Sequence, residues 1–270
     1  MYKDVNCKGK LQRRSEMKVM LVVFWITITA VSIGLAGVSG DKIIDGTEAR
    51  PHSRPYMAYL DIKSLFKRYA CGGFLIHRNF VLTAGHCKGR SINVILGVHN
   101  LTKPEPSVQV IKVKNMIRHE RYNKKKLEND IMLLKLEKSA TLTNDVTIIN
   151  IPNSTQNFRN GTLCSVAGWG KTASSGYGSN TLREVDVTVQ EPCKDPKMIC
   201  ARGTGQKGIC NGDSGGPLIC PDNNNSPLAV GIVSYSDTKC CEENNRNDVY
   251  TMVSAYRSWL DNKMSQYPLV

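Results

Sequence analysis

The stretch GICNGDSGGPLIC, residues 208–220, sets Ser214 between Asp213 and the pair Gly215–Gly216, with Cys210 and Cys220 on either side. A serine hydroxyl in such a setting is a candidate nucleophile for covalent catalysis, but its high pKa makes it a poor one until an adjacent imidazole takes the proton. A carboxylate behind the imidazole fixes its tautomer and stabilises its charged form. Ser, His and Asp occur throughout the chain, so residue types alone assign nothing; the surrounding sequence has to be specific. The same stretch opens on Gly208, six residues before Ser214, where the smallest side chain raises the question of what fills the space.

The elements that must position such groups are short. After residue 42 the chain reads as β-type segments separated by Gly, Asn, Pro and Ser: YMAYLDI, GGFLIHRNFVLTA, INVILGV, VQVIKVKNM, DIMLLKL, LCSVAGWG, REVDVTV, LAVGIVSYS and DVYTMVS. Many short strands at regular spacing predict an all-β barrel or sandwich. Only SAYRSWLDNKMSQ, 254–266, reads as a helix, with Tyr256, Trp259, Leu260 and Met264 on one face. There is no internal repeat or low-complexity tract.

A chain of 270 residues, 41% apolar and 22% charged, can bury a sizeable core and excludes a coiled coil or a disordered chain. Ten cysteines without a CxxC pair predict disulfides and an oxidising compartment. Glycosylation sequons at Asn100, Asn153 and Asn160 agree with secretion. Residues 19–40 carry no charge and follow a basic segment, which predicts either a cleaved signal peptide, started at Met1 or Met17, or an uncleaved membrane anchor. The crowding of Gly and Ser at the end of the run favours cleavage. Of the formal charge of +13, residues 1–42 hold seven basic and three acidic groups, which leaves an excess of nine positive charges downstream. The run RHERYNKKK, 118–126, reads as a solvated surface or as the footprint of a polyanion such as a sulfated glycan.

Specific context comes from TAGHC (83–87), NDIMLLKL (129–136) and GDSGGPL (212–218) in that order, together with IIDG at 43–46 and GWG at 168–170. Jointly they resemble the trypsin-like, or chymotrypsin-fold, serine proteases across residues 43–270. IIDGTEARPHSRPYMAYL and LCSVAGWG are most similar to the granzyme and mast-cell protease branch. The resemblance implies an all-β fold of two antiparallel six-stranded β-barrels with a C-terminal helix. It implies barrels at about 43–150 and 151–270, preceded by a signal peptide or anchor (1–40) and a propeptide of Asp41–Lys42.

By the same resemblance His86, Asp130 and Ser214 match the catalytic triad, although 44 and 84 residues separate them, so only a tertiary fold can bring them together. Gly212 would let the N–H groups of Gly212 and Ser214 converge as an oxyanion hole. Cleavage before Ile43 would free an α-amino group to pair with Asp213; Asp45 stands where the family usually has glycine, and Gly85 where it usually has alanine. The implied bridges are Cys71 to Cys87, Cys164 to Cys220, Cys193 to Cys200, and Cys210 to Cys240 or Cys241. Cys7 precedes the apolar run and falls outside the mature protein.

The resemblance also places Gly208 at the base of the substrate pocket, where an aspartate would select Lys or Arg, and Asp248 of NRNDVYTMV on its wall, where glycine is usual. Ser234, Tyr235 and Ser236 would shape its walls and neck. An unpaired carboxylate in a narrow, desolvated pocket either protonates or holds a cation, so a substrate Lys or Arg is expected first, with large apolar or aromatic side chains also admitted. The alternative places Asn247 in the pocket and Asp248 outside, paired with Arg246 or Lys239. The expected protein is a secreted or granule-stored serine endopeptidase zymogen acting on proteins or peptides. Macromolecular protease inhibitors and, from the charge, sulfated glycosaminoglycans are expected partners; nucleic acid, a cofactor and a metal are not. A catalytically weak cationic binding protein on the same fold is the rival expectation.

Overall fold

The structure, a computed structural model, describes Ile44 and residues 46–153, 158–174, 176–238 and 241–267. All belong to one unit, Asp41–Val270. The apolar run 19–40, Ile43, Asp45, Lys239 and Cys240 lie outside the described residues. No helix among the described residues is long and apolar enough to cross a membrane.

Two closed antiparallel barrels of six strands each make up the fold. The first is built from β2 (Met57–Lys63), β3 (Arg68–His77), β4 (Phe80–Thr83), β5 (Ser91–Leu96), β6 (Gln109–Arg118) and β7 (Met132–Leu136), ordered β2-β3-β4-β7-β6-β5. The second is built from β8 (Leu163–Gly168), β9 (Arg183–Gln190), β10 (Met198–Arg202), β11 (Pro217–Pro221), β12 (Pro227–Ser236) and β13 (Asp248–Met252). Pairing of β8 with β9 closes it. Alternation along the strands turns Leu60, Phe74, Leu82, Val94 and Leu96 into one core, and Val166, Val187, Leu218, Val230 and Tyr250 into the other. Closure pairs each strand from β2 to β13 on both of its edges.

Each end of the described chain crosses to the other barrel. The opening strand β1 (Thr47–Glu48), expected with the first barrel, pairs instead with Arg183 and Glu184 of β9. After β13 a 3₁₀ turn leads into α1 (Arg257–Ser265). Tyr256 and Leu260 bury against the first barrel's core, with Trp259 and Met264 packed beside them. The helix is pinned by the Trp259 indole N–H and the Lys263 ammonium, both on Glu120, at 2.9 and 2.6 Å. The apolar face expected of 254–266 is therefore the face that docks.

Four disulfides are formed: Cys71–Cys87, Cys164–Cys220, Cys193–Cys200 and Cys210–Cys241. The last resolves the open choice against Cys240: Cys241 is the partner of Cys210, with Cα atoms 5.5 Å apart.

Candidate active site

His86 sits in a short 3₁₀ turn, Gly85–Cys87, that leaves the first barrel after β4. Asp130 precedes β7 and is fully buried. Its Oδ1 accepts the backbone N–H of His86 at 2.9 Å, and its Oδ2 lies 2.8 Å from His86 Nδ1. A carboxylate in that place keeps the proton on Nδ1 and leaves Nε2 as the nitrogen that can act as a base. Asp130 Oδ2 also accepts the Ser234 hydroxyl at 2.6 Å, and the Thr251 hydroxyl donates to the Asp130 carbonyl at 3.0 Å. Three side-chain and backbone donors thus satisfy a carboxylate that has no access to water. Ser234, expected in the pocket wall, spends its hydroxyl on Asp130 and positions the His–Asp pair.

Ser214 lies in the loop between β10 and β11, clamped from both barrels. Gly72 of β3 donates its N–H to the Ser214 carbonyl at 2.8 Å, and Gly215 donates to Val233 of β12 at 2.8 Å. The disulfide Cys71–Cys87 joins the residue before Gly72 to the residue after His86, and Cys87 Sγ lies 3.7 Å from the Ser214 carbonyl oxygen. The crosslink therefore holds β3, whose Gly72 N–H binds the serine loop, against the histidine turn. Cys71, His86 and Cys87 present their side-chain atoms close together. Oxidation of both sulfurs to a disulfide leaves no thiolate there to hold a metal. Gly212 has φ +106°, a conformation that favours glycine, and among the described residues the N–H groups of Gly212 and Ser214 donate to no backbone carbonyl.

Asp213 points inward. It is buried, and its carboxylate accepts N–H bonds from Gly170 (2.8 Å) and Cys210 (2.9 Å). Burial pushes its carboxyl up to about 6, against the pull of those two N–H groups and of Arg246. A carboxyl with a raised folded-state pKa adds stability below its unfolded pKa and loses it as pH rises through the folded value. In the chain that still carries residues 1–42, the cost of Asp213→Asn, read from the unfolding temperature, is therefore expected to shrink between about pH 4 and 7. A cost that grows would show that the buried charge is already compensated.

The space beside Gly208 is filled from within. A Cβ on Gly208 would stand 2.6 Å from Arg246 Nη2 and against Asp248 Oδ2. Asp248 is buried, its Oδ2 accepts the Ile209 N–H at 2.9 Å, and its Oδ1 lies 3.3 Å from Arg246 Nε. Burial pushes its carboxyl up to about 6, against the pull of Arg246. Arg246 donates to the carbonyls of Cys241 and Ile209. Asp248 is therefore buried and paired, neither bare in the pocket nor outside it. Asn247 faces away, held by Arg202 (2.8 Å) and Asp237 (3.0 Å). Tyr235 and Ser236 stand half-buried on β12, where Ser236 pairs in register with Asp248. Arg246 was expected only as one of two partners for an Asp248 lying outside the pocket; the pairing is found, but buried, and the spacing of two, which sends both side chains of an extended chain to one face, was the clue to it.

Two β-barrels with a buried aspartate locked on a histidine in the first and a clamped serine loop in the second define a chymotrypsin-type serine hydrolase fold. Residues 43–260 match the Trypsin family, and the chain belongs to that family and is a serine endopeptidase. It is 44% identical to mast cell protease 3 of Ovis aries over 257 residues, 92% of this chain and 98% of that one. The solved structure titled "Structure of GrC" superposes with a TM-score of 0.76 at 41% identity, covering 83% of this chain and all of that one. That of human heparin binding protein superposes with a TM-score of 0.75 at 35% identity, covering 84% and 99%. The similarity to the granzyme and mast-cell protease branch is thus borne out.

Proposed function

We propose that the chain is a secreted or granule-stored zymogen that hydrolyses peptide bonds through an acyl-enzyme, with Ser214 as nucleophile, His86 as general base and then acid, and Asp130 as the group that orients and stabilises the imidazolium. The observation that carries this is the buried Asp130 carboxylate, which grips both the ring and the backbone of His86. The N–H groups of Gly212 and Ser214 receive the developing oxyanion. Cleavage between Lys42 and Ile43 releases an α-amino group that pairs with Asp213. The residues divide into a leader (1–40), a propeptide (41–42) and the protease (43–270). Four formed disulfides and exposed Asn153 and Asn160, with half-buried Asn100, support an oxidising, glycosylating route.

The pocket beside Gly208 accepts Lys or Arg and large apolar or aromatic P1 side chains, P1 being the residue before the cut bond, and the carboxylate available to the basic ones, Asp248, already has Arg246 beside it. Matched peptides ending in Lys, Arg, Phe, Leu and Asp, with Ser214→Ala as the control, test this. Cleavage after Phe, Leu, Lys or Arg that vanishes in the control is the expected result. Best cleavage after Asp, or activity surviving in the control, would overturn it.

The downstream excess of nine positive charges and the likeness to human heparin binding protein favour sulfated glycosaminoglycans as an additional partner. Protease inhibitors of the macromolecular kind would enter the same cleft as substrate.

A further inference from the structure

We propose that Arg246 is an internal occupant of the substrate pocket: a tethered guanidinium that stands where the cationic end of a P1 Lys or Arg would go, so that it turns the pocket's balance toward large apolar side chains. This rests on the proposed reading of the space beside Gly208 as the pocket floor.

A glycine at a pocket base ordinarily leaves room for substrate. Here the room is taken by the protein's own side chains, since a single added carbon at Gly208 would collide with both members of the Arg246–Asp248 pair. The two side chains are 2% and 1% exposed, so neither is a surface group that happens to touch the other. Arg246 is held by more than charge. Its two terminal nitrogens donate to the carbonyls of Cys241 and Ile209. Those carbonyls belong to the two strands of chain that the Cys210–Cys241 bridge fastens together. The disulfide thereby fixes a receptor for a guanidinium, and the chain supplies the guanidinium itself.

The pairing is nevertheless incomplete. Arg246 Nε, Asp248 Oδ1 and the Tyr250 hydroxyl are buried polar atoms without a hydrogen-bond partner. A substrate cation could satisfy Asp248 Oδ1 only by moving Arg246, because two cations over one buried carboxylate repel each other at low dielectric. An apolar side chain that stops above the floor meets no such demand. Specificity here is a difference between two binding free energies, and Arg246 lowers one of them.

The two charges make reciprocal predictions. Arg246→Gln uncovers Asp248, and Asp248→Asn uncovers Arg246. On activated enzyme, Arg246→Gln is expected to raise the ratio of kcat/KM for Lys-ended over Phe-ended peptides by about tenfold, and to tighten inhibition by benzamidine, an arginine-like amidinium, by a similar factor. Asp248→Asn is expected to raise the ratio for Asp-ended over Phe-ended peptides by about tenfold and to lower the Lys ratio. Unfolding temperatures identify a variant that fails to fold; if Arg246→Gln is lost in this way, Asp248→Asn decides alone. Ratios that stay unchanged in either folded variant overturn the proposal. Failure of the wider reading looks different: wild-type enzyme inactive on every peptide, or activity that survives Ser214→Ala. A wild type active after Phe whose ratios ignore both substitutions overturns the role of Arg246 alone.

Discussion

Ser214→Ala is expected to lower kcat by about 10⁵- to 10⁶-fold, and the further substitution His86→Ala to cost little more. The physical reason is that the two residues perform one act. The imidazole is useful only as the acceptor of the serine proton, and the serine attacks only when that proton has somewhere to go. Asp130 enters through His86, which it grips at two points, so its loss is expected to be large but smaller than that of the serine. Single-turnover and steady-state kinetics on one good peptide measure all three. Additive losses for Ser214→Ala and His86→Ala would mean that the two act separately, and would remove the triad assignment.

The second large effect is expected at a residue without a side chain. A Cβ on Gly170 would stand 2.5 Å from Asp213 Oδ2 and crowd the rest of the carboxyl group, while the Gly170 N–H holds Asp213 Oδ1 at 2.8 Å. The chain after β8 cannot withdraw without breaking that bond, and Gly168 and Gly212 close the same sleeve, the latter with its added carbon 2.9 Å from Gly170 Cα. Gly170→Ala is therefore expected to evict the Asp213 carboxylate, lowering the unfolding free energy by about 1–3 kcal/mol and kcat/KM by at least about 100-fold, as Ser214 and its neighbouring N–H groups lose their support. Denaturant unfolding and peptide kinetics together check this. Near-normal activity with a stable fold would show that the carboxylate has room to shift without consequence for the serine loop.

Much of the architecture could be read in the residues. Strand alternation and turn composition marked nine segments, all of which contain strand, and the apolar face of 254–266 docks as its spacing required. The failures have physical causes. GGFLIHRNFVLTA reads as one extended run, yet it folds back as β3 and β4 about Arg78–Asn79, a turn without glycine or proline and so without the usual punctuation. Met198–Arg202 and Pro217–Pro221 went unmarked, because five residues that include cysteine or terminal prolines show little periodicity, although both become central strands once the barrel closes. At the site, His86 and Asp130 meet at 2.8 Å as their motifs implied, because each motif carries its own local geometry. The Arg246–Asp248 pair was legible only as an alternative and only as a pair outside the pocket; that it is buried was not, since whether a carboxylate at the start of a strand is bare, exposed or matched depends on which neighbour the folded chain turns inward.

The occupied space beside Gly208 makes the composition of the proposed pocket a joint property of three positions. An aspartate or any other side chain placed at 208 alone has nowhere to go while Arg246 and Asp248 remain, and removing either of those alone strands its partner in the interior. Substitutions at 208, 246 and 248 should therefore be strongly non-additive. A new specificity grafted here, in the laboratory or by descent, has to pass through a glycine at 208 and through the dissolution of the ion pair before any new side chain can be seated.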